Sequence, residues 1–214
     1  MPVFTAGTLR DMAARKAIFL DKDGTLICDV PYNVNPERIV LSDHLTNGLK
    51  RFVDAGYSLF VVSNQSGVAK GYFGIDQLAP VEQMIRALLA AKGIELMQFY
   101  FCPHYPDGQI GPYSRVCDCR KPRPGMLKAA ARDWNIDLSA SWMIGDILDD
   151  VEAGNTAGCR TVLINNGNET LWELNESRVP DYIAASIDEA AEYILEGAAS
   201  LADNTIALNK ADRI

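Results

Sequence analysis

The 214-residue chain has no apolar run near the ~18 residues that a membrane span requires, so a membrane-spanning helix is not expected. It is also short of positive charge. Twenty lysines and arginines stand against 28 aspartates and glutamates, a formal net charge of −8. Nucleic acid and anionic membranes need a basic face, so neither is an expected partner. The opening MPVFTAGTLRDMAARK has no apolar signal core and no cleavage pattern, and the expected location is cytoplasmic. No Gly-rich dinucleotide fingerprint follows a strand-like segment, which leaves a nicotinamide-binding domain without its phosphate cradle. There is no internal repeat and no low-complexity block. Of the two histidines, His44 reads as a solvated helix residue and His104 falls in a cysteine-rich loop.

What the chain does have fits one α/β domain, long enough to bury roughly 70% of its unfolded surface. Residues 1–15 read as a lead-in, 16–197 as the domain and 198–214 as a polar tail that frays. Ala17 to Leu20 form an uninterrupted apolar run, as expected of a strand buried on both faces of a parallel sheet. Further strands are expected at 57–62, 97–101, 142–145, 161–164 and 182–184. Helices are expected at about 43–55, with Leu45, Leu49, Phe52 and Val53 on one face, and at 76–92, from Pro124 to 134, at 147–157 and from about 188. Strands alternating with helices predict a doubly wound parallel sheet.

Four of these strands lead into polar groups: Asp21 and Asp23 after the first, Ser63 and Asn64 after the second, the Cys102/His104 loop running to Lys121 after the third, and Asp146 with Asp150 after the fourth. In an open α/β sheet, ligands bind beyond the carboxyl ends of the strands. The set supplies what phosphoryl transfer needs: a carboxylate nucleophile, a second carboxylate to move a proton, a cation, and donors for phosphoryl oxygens. A plain Asp-Gly turn would account for DKDG alone, but not for the other three strand ends.

These motifs, DKDGT at 21–25, VVSNQS at 61–66, RKP at 120–122 and GDILDD at 145–150, resemble in order those of the haloacid dehalogenase superfamily of phosphatases. The resemblance spans about residues 16–195 and implies a small phosphorylated sugar or polyol as substrate. It makes Asp21 the nucleophile that forms an aspartyl-phosphate, and Asp23 the acid that protonates the leaving group and then activates water. Ser63 and Lys121 would bind the transferring phosphoryl group. Asp146 would join Asp21 and the backbone carbonyl of Asp23 around a magnesium ion, a hard cation suited to oxygen ligands. Asp150 would orient Lys121 or a metal-bound water, or else simply favour the helix dipole as a first-turn acid.

Cys102-Pro-His104, then Cys117-Asp-Cys119 after twelve residues, is a second constellation. Two tight pairs of thiol and imidazole donors across a loop match a closed tetrahedral zinc site. Such a metal would be structural, ordering residues 102–119, where helix and strand periodicity both fail. Five cysteines in a chain expected to be cytoplasmic suit metal or free thiols better than disulfides; Cys28 and Cys159 read as ordinary thiols. A loop of this kind before RKP makes the chain similar to the branch that contains heptose bisphosphate and histidinol-phosphate phosphatases, which lack a large cap domain. That similarity implies that Asp29, Tyr32, Asn64, Gln65 and Ser66 line the substrate side. It also implies that Arg120 contacts a distal phosphate or sugar hydroxyl, the alternative being a pairing with an acid near the zinc loop. Two features depart from the heptose enzymes: Ile147 replaces a basic residue, and the loop reads DVPYNV. A phospho-acceptor or zinc-organised interaction protein without turnover would not need Asp23, so the presence of that residue favours catalysis. The protein is expected to act as a monomer.

Overall fold

The computed structural model describes residues 14–197. The expected lead-in, apart from residues 14 and 15, and the expected tail lie outside them. Six strands, β1 (Lys16–Leu20), β2 (Tyr57–Asn64), β3 (Gln98–Cys102), β4 (Trp142–Gly145), β5 (Arg160–Ile164) and β6 (Tyr182–Ala184), form one sheet in the order β3-β2-β1-β4-β5-β6. Every pairing is parallel. Five helices accompany it: α1 (Thr46–Asp54), α2 (Leu78–Ala90), α3 (Gly125–Trp134), α4 (Leu148–Ala157) and α5 (Ile187–Glu196).

The apolar run at β1 is continuous because both of its faces are covered. Ile18 and Leu20 join Leu49 and Phe52 of α1, Ile85 and Leu89 of α2, and Ile187 of α5. Ala17 and Phe19 point the other way, into a core with Met126, Leu127 and Ala130 of α3 and Ala153 of α4. Phe19 and Phe60 pack with ring centroids 5.6 Å apart on that second face. The four apolar side chains of β1, Ala17 to Leu20, are fully buried, each large one contributing about 1.5–3 kcal/mol by removal from water. Truncating Phe19 to alanine is expected to cost about 3–5 kcal/mol.

Several boundaries differ from expectation for local reasons. His44 is not helical: its φ of 53° is left-handed, so α1 begins only at Thr46. Val53 is 40% exposed, because at 100° per residue it sits at the edge of the stripe set by Leu45, Leu49 and Phe52. Pro124 and Ile147 stand just before α3 and α4 as caps rather than inside them. β2 runs two residues past Val62, carrying Ser63 and Asn64 to the sheet's carboxyl edge.

After β1 the chain builds outward through β2 to β3, then crosses to β4 on the other side of β1. The strand order therefore reverses between β1 and β4, and a crevice opens at their carboxyl ends. No cap domain covers it among the described residues. Residues 103–124, between β3 and α3, contain no helix or strand. No helix among the described residues is long and apolar enough to cross a membrane.

Candidate active site and metal clusters

Asp21 stands where β1 ends, its backbone N–H donating to Ile144 O at 2.9 Å. The turn is thereby pinned to β4, which delivers Asp146. Gly24 follows at φ 79°, and a Cβ there would lie 2.1 Å from Asp146 Oδ2. Only glycine lets the turn close against that carboxylate. Gly145 serves the same purpose below it, since a Cβ would strike the Asp150 side chain at 2.3 Å. Ligand oxygens of Asp21, Asp146 and Asp150 all lie within 4.8 Å of one another.

Lys121 enters this acidic cluster from the loop before α3, fully buried. Its Nζ donates to Asp21 Oδ1, donates to Val62 O at 2.8 Å, and sits 2.6 Å from Asp150 Oδ1 as an ion pair. That last contact is out of line for a hydrogen bond. Asp150 Oδ2 accepts from Ile147 N at 3.3 Å, so its carboxylate faces the lysine and caps α4 together. Asn64 fixes the lysine's backbone at two points, donating from Nδ2 to Lys121 O and accepting from Lys121 N, both at 3.0 Å.

Charge is unevenly balanced here. Burial would lower the Lys121 pKa, but Asp150 and Asp21 outweigh it and raise it well above the usual lysine range. Burial pushes Asp150 up to about 8, against the pull of Lys121. Burial, and then the charge of Asp21, pushes Asp146 up to about 6. One ammonium among three carboxylates leaves net negative charge in a buried place, which a cation would relieve.

Asp23 stands at the mouth, 31% exposed. Lys22 Nζ lies 2.8 Å from its Oδ1 and Gln65 Nε2 donates to its Oδ2 at 3.1 Å. Burial raises its pKa and Lys22 opposes the rise. The same Gln65 nitrogen donates to Ser63 Oγ at 2.8 Å, linking two of the strand-end positions. A cleft of about 290 Å³ is lined by Asp21, Asp23, Asp29, Ser63, Asn64, Lys121 and Asp146. A second, of about 390 Å³, shares Asp23, Asp29, Asn64 and Ile147 with it and continues to Tyr32, Gln65 and Ser66. Arg120 is absent from both linings. Its guanidinium carbon lies 5.0 Å from the centroid of the Tyr105 ring, and Nη1 donates to His104 O at 3.5 Å.

Sequence reasoning missed the loop after β5. Asn168 Nδ2 donates to Asp146 Oδ2 at 2.7 Å, and Asn166 Nδ2 donates to Gly24 O at 2.6 Å. Glu169 Oε2 accepts from Leu148 N at 2.8 Å, capping α4. Thr25 Oγ1 completes the hold on Asp146, donating to Oδ1 at 3.1 Å. The only available signal was a run of short amides past a strand end, which also reads as an ordinary turn. Asp149, by contrast, faces outward and pairs with Arg178 at 2.8 Å.

The four cysteine-loop ligands converge. Cys102, Cys117 and Cys119 have sulfur–sulfur distances of 3.2, 3.3 and 3.5 Å, and His104 Nδ1 lies 3.2 Å from Cys119 Sγ and 3.6 Å from Cys102 Sγ. All four ligand atoms lie within 4.8 Å of one another, and a regular tetrahedron with edges like these five has its centre about 2.1 Å from each vertex, close to zinc–ligand lengths of about 2.0–2.3 Å. The separations are too long for a disulfide of about 2.05 Å, and all five cysteines are free. The hydrogen bond with Cys102 is the main cause that pulls Cys119 down to about 5, leaving one thiol ready to ionise.

Comparison with known proteins gives a consistent result. Residues 118–190 match the HAD-hydrolase-like family model. The chain is 39% identical over 181 residues to a D-glycero-beta-D-manno-heptose-1,7-bisphosphate 7-phosphatase of Haemophilus ducreyi, covering 84% of this chain and 98% of that one. It is 36% identical over 156 residues to an alpha-anomer 7-phosphatase of Photorhabdus laumondii, 72% of this chain and 85% of the relative. The D,D-heptose 1,7-bisphosphate phosphatase of B. bronchiseptica, solved with magnesium and phosphate, superposes with a TM-score of 0.72 at 30% identity, covering 85% and 98% of the two chains.

Proposed function

The chain belongs to the HAD-like phosphatases, and from that premise we propose that it removes the 7-phosphate of D-glycero-D-manno-heptose 1,7-bisphosphate. The observation that carries the reading is the set Asp21, Lys121, Asp146 and Asp23 around one cleft at the switch point of the sheet, in a chain whose relatives over most of its length are heptose bisphosphate 7-phosphatases. In the proposed mechanism, an oxygen of Asp21 attacks phosphorus in line with the ester bond. That bond breaks as Asp23 gives its proton to the departing sugar oxygen, leaving an aspartyl-phosphate. Asp23, now a carboxylate, takes a proton from a water that attacks the same phosphorus. Inorganic phosphate leaves and Asp21 is restored.

The residues divide this work by environment. Lys121 pairs with Asp21 and offers positive charge to the transferring group. Gln65 and Lys22 hold Asp23 at the mouth, where a leaving group would depart. Ser63 stands on the phosphate side, its hydroxyl free to donate while its oxygen accepts from Gln65. Asp21, Asp146 and the backbone carbonyl of Asp23 would hold magnesium; hard oxygen donors and excess negative charge fit such an ion. When bound, it would neutralise phosphoryl charge in a pocket that otherwise repels an anion. Cys102, His104, Cys117 and Cys119 would hold a structural zinc with no position left for water.

The test is phosphate release from both anomers of heptose 1,7-bisphosphate, alongside histidinol phosphate, with magnesium present. Turnover of heptose bisphosphate at least ten times more efficient than that of histidinol phosphate supports the reading. Comparable or reversed efficiencies overturn the substrate while leaving the phosphatase chemistry intact.

A further inference from the structure

Two phosphates on one sugar pose an electrostatic problem for this cleft. Its walls carry Asp21, Asp23, Asp29 and Asp146, while its two lysines are engaged, Lys121 by Asp21 and Asp150, Lys22 by Asp23. A phosphate that is not being transferred therefore needs charge from elsewhere. Two half-buried cations stand beyond the Tyr32 end of the cleft. Lys70 Nζ donates to Tyr32 Oη at 2.7 Å and lies 4.7 Å from the Tyr105 ring centroid. Arg120 lies over the same ring. Among the described residues, neither is paired with a carboxylate. In a chain of net charge −8, two cations held by rings and a hydroxyl keep their charge available. Lys70 retains two free N–H donors, and the Tyr32 hydroxyl one.

We propose that Lys70, braced by Tyr32 and Tyr105 beside Arg120, is a specificity-determining residue that binds the non-reacting phosphate of a sugar bisphosphate. The inference rests on the heptose bisphosphate reading. The brace is assembled from two separate loops. Lys70 belongs to the turn after β2, and Tyr105 to the Cys/His loop. The two are fastened where Gln109 N and Ile110 N both donate to Ala69 O, at 2.7 and 2.9 Å. Tyr32 holds a φ of 54°, a conformation uncommon outside glycine, and its ring meets Tyr72 edge-on at 4.7 Å between centroids. The loop thus keeps its hydroxyl against the lysine.

The test compares heptose 1,7-bisphosphate with heptose 7-phosphate, which has the same reacting ester and lacks the other phosphate. In Lys70→Gln the ratio of their kcat/KM values falls roughly 10–100-fold, the range of one charge-assisted hydrogen-bonded contact, through KM of the bisphosphate. Lys70→Arg restores most of the ratio. A wild-type enzyme that prefers the bisphosphate, with the ratio unchanged in Lys70→Gln, overturns this inference alone. An equal loss on both substrates also overturns it. A wild-type enzyme without that preference overturns the heptose bisphosphate reading and this inference with it.

Discussion

Two clusters of ligating side chains lie at the same edge of the sheet, and they are built in opposite ways. The three aspartates come from β1, β4 and α4, elements fixed by the two cores. Their positions are set before any cation arrives, at the expense of crowding like charges in a buried place. The cysteines and histidine come from one strand end and a loop without helix or strand. Beyond its fastening to Ala69 O and a few internal hydrogen bonds, that loop is tied together by the ligand set, so an ion bound there would share in its order. The lesson is that a metal can be added to a finished fold for chemistry, or be part of the fold itself.

Breaking the acidic cluster should therefore abolish chemistry and spare folding. Asp21→Asn is predicted to lower kcat by roughly 10⁴-fold or more, as for other lost nucleophiles, with the melting temperature near that of the wild type. Substantial turnover in that variant would remove the aspartyl-phosphate mechanism. The converse break is Cys119→Ser. Zinc content by elemental analysis should drop from one per chain towards none, and the melting temperature should fall by several degrees, at roughly 2–4 °C per kcal/mol for a chain of this size. Activity on p-nitrophenyl phosphate should fall less than roughly tenfold, since the ligands lie outside the reacting centre. A larger fall in kcat than in stability would erase the distinction between the clusters.

Acid sharpens the same contrast. Asp146, pushed up to about 6 by burial and Asp21, must lose its proton before magnesium binds. The half-saturating magnesium concentration should then rise about tenfold per pH unit as pH falls below about 6. The sign for stability follows from proton counting. Between 3.8 and about 6 the folded apo-protein keeps a proton that the unfolded chain has released. Apo stability therefore falls as pH rises through that window, and magnesium restores it. Denaturation with and without magnesium at pH 5 and 7 checks both statements. The smallest expected effect is Lys22→Met. Lys22 holds the Asp23 pKa down, so its removal should raise that pKa. The limb of the rate profile that needs Asp23 protonated should move to higher pH. A shift to lower pH would contradict the assigned contact.

The strand-end cluster was legible because it consists of residue types that a core does not explain. Asp21, Ser63 and Asp146 end apolar segments, Lys121 stands in the short RKP motif, and the spacing of Cys102, His104, Cys117 and Cys119 is a ligand pattern by itself. Less legible were residues whose role depends on which loops touch. Lys70 sits in an unremarkable VAKGY stretch, and only the approach of the Tyr32 loop and of the Cys/His loop gives it partners. Arg120 was expected at the substrate, and the Tyr105 ring that positions it could not be read from the sequence. Asn64 was expected on the substrate side and lines the cleft, while its amide also clamps the Lys121 backbone. Such contacts join residues far apart in sequence, where periodicity and local spacing carry no information.

The loop after β5 has a consequence for anyone who wishes to alter this molecule. Its grip on the reacting centre is concentrated in Asn166, Asn168 and Glu169, while Leu171, Trp172 and Leu174 are exposed. A tag, epitope or extra segment spliced in at 171–174 would ride on an anchored stalk and should leave turnover intact. The same cargo placed three residues earlier would prise the amide from Asp146. Tolerance to insertion thus changes abruptly within one loop, and the boundary is Glu169.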